Sequence, residues 1–304
     1  MFSNATFETN ETPRLTGKTE YNENFPVGSF LLSKKARALV GAFYRFARIG
    51  DDIADDPELE SPAKLAKLDA MDSALQSEQE QPPAPVAEGT IEGTIAAWHL
   101  KQLLQHSGFT IKQPQTLLLA WRRDAVHADS QSWADLLHSC SLSAHPVGRF
   151  LLEIHQETTP AALIASDALC TALQVLNHLQ DCHKDFTALN RVYVPADWLA
   201  AEGLSRTILG ERQAPPELLR VFDRMLENVV PLVTVARNLP AAIVCRRLRM
   251  EAAIIVALAL RLMCRLRQKD LLAHFHGLQH WDWIVAATMG MAVGLRQSTK
   301  SQKR

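Results

Sequence analysis

The stretch YRFARIGDDIAD, residues 44–55, decides the fold and the chemistry that this chain can support. At 3.6 residues per turn, one stripe of a helix here carries a phenol, a guanidinium and two carboxylates, those of Tyr44, Arg48, Asp51 and Asp55. A core-facing stripe should be apolar, and carboxylates near a helix C-terminus oppose the macrodipole. We therefore expect a cation here, and Mg²⁺ prefers carboxylate oxygens. The alternative is an acidic helix end in solvent.

A second acidic stripe lies further along the chain. Asn177, Asp181 and Asp185 are spaced by four residues, so they climb one face of a helix by about 6 Å per step. If the two long helices lie antiparallel or cross, their acidic stripes can face each other across a cleft. Mg²⁺ could then bridge protein carboxylates and a phosphorylated substrate.

Each acidic stripe is accompanied by one arginine and one tyrosine. Tyr44 and Arg48 belong to the first stripe, and Arg191 and Tyr193 follow the second. A guanidinium suits bidentate contact with phosphate, and a phenol can donate to a phosphate oxygen or line an apolar cavity. The alternatives are salt bridges to the nearby aspartates and plain core packing. A salt bridge is compatible with phosphate binding.

The periodicity of the whole chain is helical. We predict helices over residues 33–56, 61–76, 90–107, 114–128, 133–156, 160–188, 216–238, 241–267 and 278–297. Few runs alternate with period two, so we expect essentially no sheet. Pro146 and Gly148 predict a kink in the helix over 133–156. Because the linkers are short, we predict a single all-α domain that spans residues 23–297. A disordered segment at 1–22 precedes it, and a basic tail at 298–304 follows it.

The composition excludes several classes of protein. The net charge of the 304 residues is −1 and no basic stripe is present, so we predict no nucleic-acid partner. The 5 cysteines form no CxxC pair, which argues against a disulfide framework or a zinc site. We see no signal peptide, and the apolar runs are shorter than the roughly 20 residues of a membrane span. We expect a cytoplasmic protein, either free or peripheral at the inner membrane.

Three motifs carry a resemblance to a known family. DDIAD at 51–55, NHLQDCHKD at 177–185 and RVYVP at 191–195 resemble the squalene and phytoene synthase family of all-α prenyl synthases. ENFPVGSFLL at 23–32 and SAHPVGR at 143–149 resemble its hydroxysqualene synthase branch more narrowly. The resemblance runs over roughly residues 23–295. It implies an all-α, single-domain isoprenoid synthase bundle around a central apolar cavity.

The resemblance also implies roles for individual residues. Mg²⁺ would be held against a substrate diphosphate by Asp51, Asp52, Asp55, Asn177, Asp181 and Asp185. The diphosphate would be surrounded by Tyr44, Arg48, Arg191 and Tyr193, and the implied catalytic set is Asp51, Asp55, Asp181, Asp185 and Tyr44. The cavity would be lined by His145, Val147 and Gly148. His145 stands where the family pattern has asparagine, so a satisfied core histidine is its alternative role.

The implied activity is loss of diphosphate from presqualene diphosphate, followed by rearrangement and capture of water, in squalene and hopanoid biosynthesis. The linker Phe186–Asn190 lacks the basic residues of phytoene synthases, so phytoene synthase activity is less well supported. One alternative is head-to-head condensation of farnesyl diphosphate to presqualene diphosphate or squalene. Another is a non-catalytic scaffold of the same fold. The hydrocarbon product also suggests transient contact with a membrane surface or with neighbouring pathway enzymes.

Overall fold

The structure, a computed structural model, describes residues 34–79, 81, 90–126, 129–267, 270–273 and 277–296. The helices are α1 Lys34–Asp55, α2 Ser61–Gln76, α3 Ile91–His106, α4 Lys112–Ala125, α5 Trp133–Ser143, α6 His145–Ile154, α7 Pro160–Leu189, α8 Ala196–Ala201, α9 Pro216–Ala236, α10 Leu239–Ala242, α11 Arg246–Leu266 and α12 His280–Arg296. A 3₁₀ turn at Arg206–Gly210 separates α8 from α9. No strand occurs in these ranges, which confirms the predicted all-α fold. The segment 1–22 and the tail 298–304 lie outside the described residues.

Local sequence signals set several helix ends. The hydroxyls of Ser132 and Thr159 accept hydrogen bonds from backbone amides three residues later, which caps α5 and α7. Gly108 follows α3 with φ at +77°, a left-handed conformation that glycine adopts without strain. These positions match the predicted ends of the corresponding helices.

The helix predicted over 133–156 is two helices. α5 ends at Ser143 and α6 begins at His145, with Pro146 in its first turn. A proline there lacks an amide donor and its ring crowds the carbonyl four residues earlier, so the chain breaks rather than bends. Gly148 then allows α6 to approach α7 closely, because a Cβ at this position would lie 2.4 Å from the hydroxyl of Ser166.

Two clusters of buried apolar side chains hold the helices together. The first is built by α1–α4 together with Phe150 of α6, and the second by elements from α5 to α11. Phe43 of α1 stacks on Phe150 with ring centroids 4.2 Å apart. The first acidic stripe, on α1, therefore belongs to one cluster, and the second stripe, on α7, to the other.

The helix α7 is central to the second cluster and packs against α5, α6, α9 and α11. Among the described helices it alone is long and apolar enough to cross a membrane, by length and composition. Over half of its most apolar window, 56%, is buried inside the bundle, which is typical of a core helix. It carries the second acidic stripe in its C-terminal half.

Candidate active site

The two acidic stripes meet at one end of the bundle. Asp55, the last residue of α1, forms an ion pair with Arg191, which lies two residues beyond the end of α7. Asp55 also acts on Asp185 of α7, since its negative charge is one cause of the raised pKa of that carboxyl. Side chains more than a hundred positions apart in the sequence therefore share one site.

The chain reaches this site through a left-handed residue at the end of α7. Asn190 has φ at +52°, a conformation that asparagine tolerates better than most residues. The amides of Asn190 and Arg191 donate to the carbonyls of Phe186 and Asp185 and so close the helix. The turn places the guanidinium of Arg191 directly beside the second acidic stripe.

Main-chain oxygens anchor the guanidinium of Arg191. Its Nη2 donates to the carbonyls of Ala54 at 2.8 Å and Asp124 at 3.3 Å, while Nη1 donates to the carboxylate of Asp55. The residue is only 6% exposed, and its Nε has no hydrogen-bond partner in the described part of the chain. Burial lowers the pKa of Arg191, but Asp55, Tyr193 and Asp124 outweigh this and raise it overall. The side chain is a fixed positive charge.

The first acidic stripe keeps a carboxylate in an unfavourable electrostatic environment. Enclosure by the surrounding protein and the charge of Asp55 raise the pKa of Asp51 to about 7, against the opposing effect of Arg48. About half of the Asp51 side chain, 51%, is nevertheless accessible. Asp51 is thus reachable by a ligand.

Two further carboxyls share this environment. Burial, Asp181 and Asp55 raise the pKa of Asp185 to about 7. Burial also raises the pKa of Asp124 to about 6, with Asp55 adding to the shift and Arg191 opposing it. Like charges held together in this way favour binding of a cation.

Asp124 was not identified from the sequence. It lies in the last turn of α4, where a carboxylate opposes the helix macrodipole. Carboxylates in the last turn of α1 oppose the macrodipole in the same way. Two arginines immediately before Asp124, however, made the segment resemble an ordinary basic helix end.

Arg48 makes the salt bridge that was the alternative to phosphate binding. Its Nη2 lies 2.6 Å from Oδ1 of Asp52, and its Nη1 lies 3.8 Å from Oδ2 of Asp51. Tyr44 lies one turn earlier on the same helix and is partly buried. These contacts hold Arg48 over the first acidic stripe, which does not prevent it from contacting a phosphate.

A buried histidine supports the tyrosine of the site. The rings of His178 and Tyr193 stack with centroids 3.6 Å apart, and Gln174 Nε2 lies 3.2 Å from His178 Nε2. Burial and the charge of Arg191 lower the pKa of His178 to about 3, so its ring is neutral. Burial raises the pKa of Tyr193, so its phenol keeps its proton and remains a donor. His178 was missed from sequence, because a histidine on an apolar helix face is usually core.

The structure does not bring His145, Val147 and Gly148 to the acidic end. Nε2 of His145 lies 2.8 Å from the hydroxyl of Thr171, which precedes Asp181 by ten residues. At 1.5 Å per residue, this level is about 15 Å along α7 from the carboxylates. One ring nitrogen of His145 is hydrogen-bonded in this way, and the cavity-lining role of this residue stays a prediction. Val147 is exposed, and Gly148 packs on α7.

A polar cavity of about 300 Å³ opens beside the ion pair. It lies where the ends of α1 and α7 meet the start of α2, and it is lined by Asp55, Pro57, Leu59, Glu60, Ser61, Lys64, Leu189 and Arg191. Lys64 is 2% exposed and donates to the carbonyl of Ala54 at 3.0 Å. Burial and the charge of Arg191 lower the pKa of Lys64. This lysine was also missed from sequence.

The donor set fits a divalent cation that is shared with a ligand. Within the described ranges, no three His, Cys, Asp or Glu side chains converge closely enough to make a complete metal site. Mg²⁺ seldom needs one, since it is usually held by one or two carboxylates, waters and substrate phosphates. Asp52 and Asp55 have close arginine partners, whereas burial and neighbouring carboxylates raise the pKa of Asp51 and of Asp185.

Solved structures share this fold. The chain superimposes on the crystal structure of squalene synthase HpnC from Alicyclobacillus acidocaldarius with a TM-score of 0.66 and 26% identity, over 80% of this chain and 87% of that one. A dehydrosqualene synthase in complex with ligand gives a TM-score of 0.70 at 19% identity, over 88% and 90% of the two chains. The fold and the site together define an all-α isoprenoid synthase.

Sequence comparisons identify the family within the isoprenoid synthases. The family model described as squalene/phytoene synthase matches residues 18–284. Hydroxysqualene synthase from Rhodopseudomonas palustris is 37% identical over 91% of this chain and 90% of its own length. Hydroxysqualene synthase from Zymomonas mobilis is 38% identical over 82% of this chain and 80% of its own length. This chain belongs to the squalene/phytoene synthase family, as its three motifs predicted.

Proposed function

We propose that this protein is a hydroxysqualene synthase, which converts presqualene diphosphate and water to hydroxysqualene and diphosphate in a Mg²⁺-dependent reaction of hopanoid biosynthesis. The observation that carries the proposal is the meeting of two remote acidic stripes beside Arg191. Identities of 37–38% to curated hydroxysqualene synthases along most of the chain support the particular reaction. The catalytic domain would be residues 23–297.

The acidic stripes would bind the diphosphate end of the substrate through Mg²⁺. The residues that would hold the ion are Asp51, Asp52, Asp55, Asn177, Asp181 and Asp185. Bound Mg²⁺ supplies neutralisation of the negative charge that develops on the departing diphosphate. The raised pKa of Asp51 and of Asp185 supports this role, because a cation would relieve the repulsion between the carboxylates.

The arginines and tyrosines would orient the leaving group. Arg191 is held by main-chain oxygens and by Asp55, so its positive charge is preorganised and needs little rearrangement when diphosphate arrives. Tyr193, stacked on a neutral histidine, would donate its phenolic hydrogen to a phosphate oxygen. Arg48 and Tyr44 would contact the diphosphate from the side of α1.

The reaction would begin with cleavage of the bond between the cyclopropylcarbinyl carbon and the diphosphate oxygen, and the electron pair leaves with the diphosphate. The carbocation opens its ring in an apolar enclosure that excludes bulk water. One water oxygen then bonds to the cation, and its proton passes to the released diphosphate. We propose that His145, Val147 and Gly148 line this enclosure below the acidic end.

Product analysis tests the proposal. Purified protein with Mg²⁺ is given presqualene diphosphate or farnesyl diphosphate in separate reactions. Hydroxysqualene from presqualene diphosphate, with no product from farnesyl diphosphate, is the expected result. Presqualene diphosphate or squalene formed from farnesyl diphosphate would identify a condensing enzyme instead. Binding of diphosphate without turnover of either substrate would indicate a scaffold.

A variant tests the assignment of the second acidic stripe. Asp181→Asn removes one carboxylate charge while keeping the shape of the side chain, so diphosphate release should slow by about 100-fold or more. Asp223→Asn on the exposed face of α9 is the matched control and should retain wild-type rates. Equal turnover by the two variants would show that the metal assignment is wrong.

A further inference from the structure

The helix α12 presents large apolar side chains to solvent. Trp281 is 69% exposed, Met289 and Met291 are each 50% exposed, and Ile284 is 40% exposed. Trp281, Ile284 and Met291 are spaced by three and seven residues, so they share one side of the helix. Soluble proteins rarely expose contiguous apolar patches larger than a few hundred Å², and larger ones mark interaction sites.

The opposite side of α12 is fixed against α11, so the apolar side is held outward. Asp282 is 1% exposed and accepts hydrogen bonds from Arg261 and Arg265 of α11. A Cβ on Gly290 would lie 2.4 Å from Cγ1 of Ile254, which shows how closely the two helices approach. The helix cannot rotate its apolar side inward without breaking these contacts.

The charge along α12 is arranged for an anionic lipid surface. From Trp281 to Leu295 the only acidic or basic residue is Asp282, and it is buried beneath two arginines. The sequence that follows carries Arg296, Lys300, Lys303 and Arg304, and residues 296–304 contain no acidic residue. An uncharged apolar face with an interfacial tryptophan, continued by a basic segment, is typical of a helix that lies in a membrane interface.

We propose that α12 docks this protein on the surface of an anionic membrane, with the helix lying in the plane of the headgroups. The basic sequence that follows α12 favours an anionic lipid over a second copy of the chain, which would carry the same positive charges. The helix is 17 residues long and tied down by Asp282, so it would lie on the membrane rather than cross it. Docking does not depend on the proposed chemistry.

Flotation with lipid vesicles tests the docking. The full-length protein is mixed with vesicles of phosphatidylcholine alone or with 30% phosphatidylglycerol, at low and at 0.5 M salt. We expect flotation with the phosphatidylglycerol vesicles and a several-fold lower bound fraction at high salt. The double variant Trp281→Ser/Met291→Ser should bind about tenfold less. The matched control is Ile164→Ser/Val244→Ser, which removes two apolar side chains elsewhere that are 63% and 80% exposed and should float like wild type.

Each other outcome overturns the proposal. Wild-type protein that floats with neither kind of vesicle would exclude a lipid partner, and equal flotation of the two double variants would place the contact elsewhere. A wild-type dimer that becomes monomeric in Trp281→Ser/Met291→Ser, without flotation, would assign this surface to a second copy. Circular dichroism confirms that the variants fold. Vesicle binding needs no turnover, so failure here and failure of the product assay are separate results.

Discussion

A single carbonyl oxygen organises the end of α1. The oxygen of Ala54 accepts from Nζ of Lys64 at 3.0 Å and from Nη2 of Arg191 at 2.8 Å. Carbonyls in the last turn of a helix lack intrahelical partners and carry the negative end of the macrodipole, so they bind cations well. The two donors, from α2 and from the turn after α7, fix the position of Asp55.

Replacement of Lys64 should loosen this turn. Lys64→Met keeps most of the length of the side chain and removes the donor, which should lower the free energy of unfolding by about 1–2 kcal/mol and raise KM for the substrate. Urea unfolding and steady-state kinetics measure the two effects. Lys67→Met on the more accessible side of α2 is the control. A Lys64→Met protein as stable and active as this control would contradict the role.

Glu251 should make the stability of the protein depend on pH. It is 4% exposed on α11, its Oε2 has no hydrogen-bond partner in the described ranges, and burial raises its pKa to about 7 from the ordinary 4.5. The folded protein therefore holds this proton more tightly than the unfolded chain. Stability should fall as pH rises from 4.5 to 7, by about 3 kcal/mol in total.

Glu251→Gln should remove this fall, so the variant should gain stability over wild type at pH 8 and little at pH 5. Denaturant unfolding at the two pH values measures the difference. Glu227→Gln, on the exposed side of α9, should leave the pH dependence unchanged. A wild-type pH profile in Glu251→Gln would show that this carboxyl is not the cause.

At the scale of residues, periodicity indicated the side chains that repeat along one helix and missed those that reach the site from elsewhere. Asp181 and Asp185 are visible in the sequence because their spacing of four is regular. Lys64, Asp124 and His178 are isolated residues on three other stretches, and only the packing of helices brings them together. Spacing along the chain carries no information about such contacts.

Among the elements, α1 depends on one glycine to approach α4. A Cβ on Gly50 would lie 2.3 Å from the ring of Trp121, whereas a Cβ on Gly41 of the same helix would meet nothing within 4 Å. Gly50 immediately precedes Asp51, so the close approach of the two helices sets the position of the first acidic stripe.

Alanine at these two glycines should have opposite effects. Gly50→Ala forces α1 away from α4 and should cost about 1–3 kcal/mol of stability, with slower diphosphate release. Gly41→Ala should stabilise the protein by up to about 1 kcal/mol, because alanine has the higher helix propensity. Thermal unfolding of both variants measures the effects. Stabilisation by both substitutions would disprove the close approach.

The predicted elements are accurate where proline, glycine and capping residues mark them. α2 begins and ends at the predicted residues, and the ends of α3 and α7 lie within a residue or two of the prediction. The prediction of one helix over 133–156 is wrong, because a kinked helix and a broken one share the same Pro146 signal. The helix predicted over 241–267 begins only at Arg246, after the short α10, and α8 was not predicted. Short helices depend on packing more than on local sequence.

For the whole molecule, the acidic site joins two separately packed parts. α1 is buried in the first apolar cluster and α7 in the second, and the ion pair between Asp55 and Arg191 spans them. A ligand that binds carboxylates of both helices should therefore stabilise the protein as a whole, since it binds the folded state only.

Mg²⁺ and inorganic diphosphate together should raise the melting temperature more than either alone. At a ligand concentration of 100 times Kd, the gain in the free energy of unfolding is about 2.7 kcal/mol. Differential scanning calorimetry measures it, and Asp181→Asn should abolish the gain. Equal stabilisation by diphosphate without Mg²⁺ would indicate that arginines alone bind the anion.

The all-α architecture follows from helical periodicity over most of the chain, and the structure confirms it. Periodicity could not determine which helices are neighbours, so the convergence of α1 and α7 rested on the acidic character of both stripes and on the resemblance. The central cavity is a property of packing between several helices, which no single stretch encodes. It stays a prediction, as do the roles of the residues said to line it.

The way Arg191 is held has a consequence for how the sequence can diverge. Its partner at position 54 is a peptide oxygen, which every amino acid supplies as long as the helix persists, so the hydrogen bond does not specify the residue. Burial of Ala54 in the first apolar cluster still restricts the position to a small side chain. The number of residues between Asp185 and Arg191 is constrained more strictly. One residue inserted between Asp185 and Arg191 would rotate the path of the chain by about 100° if the helix continued, and would carry the guanidinium away from the carboxylates. The segment between Asp185 and Arg191 should therefore resist insertion.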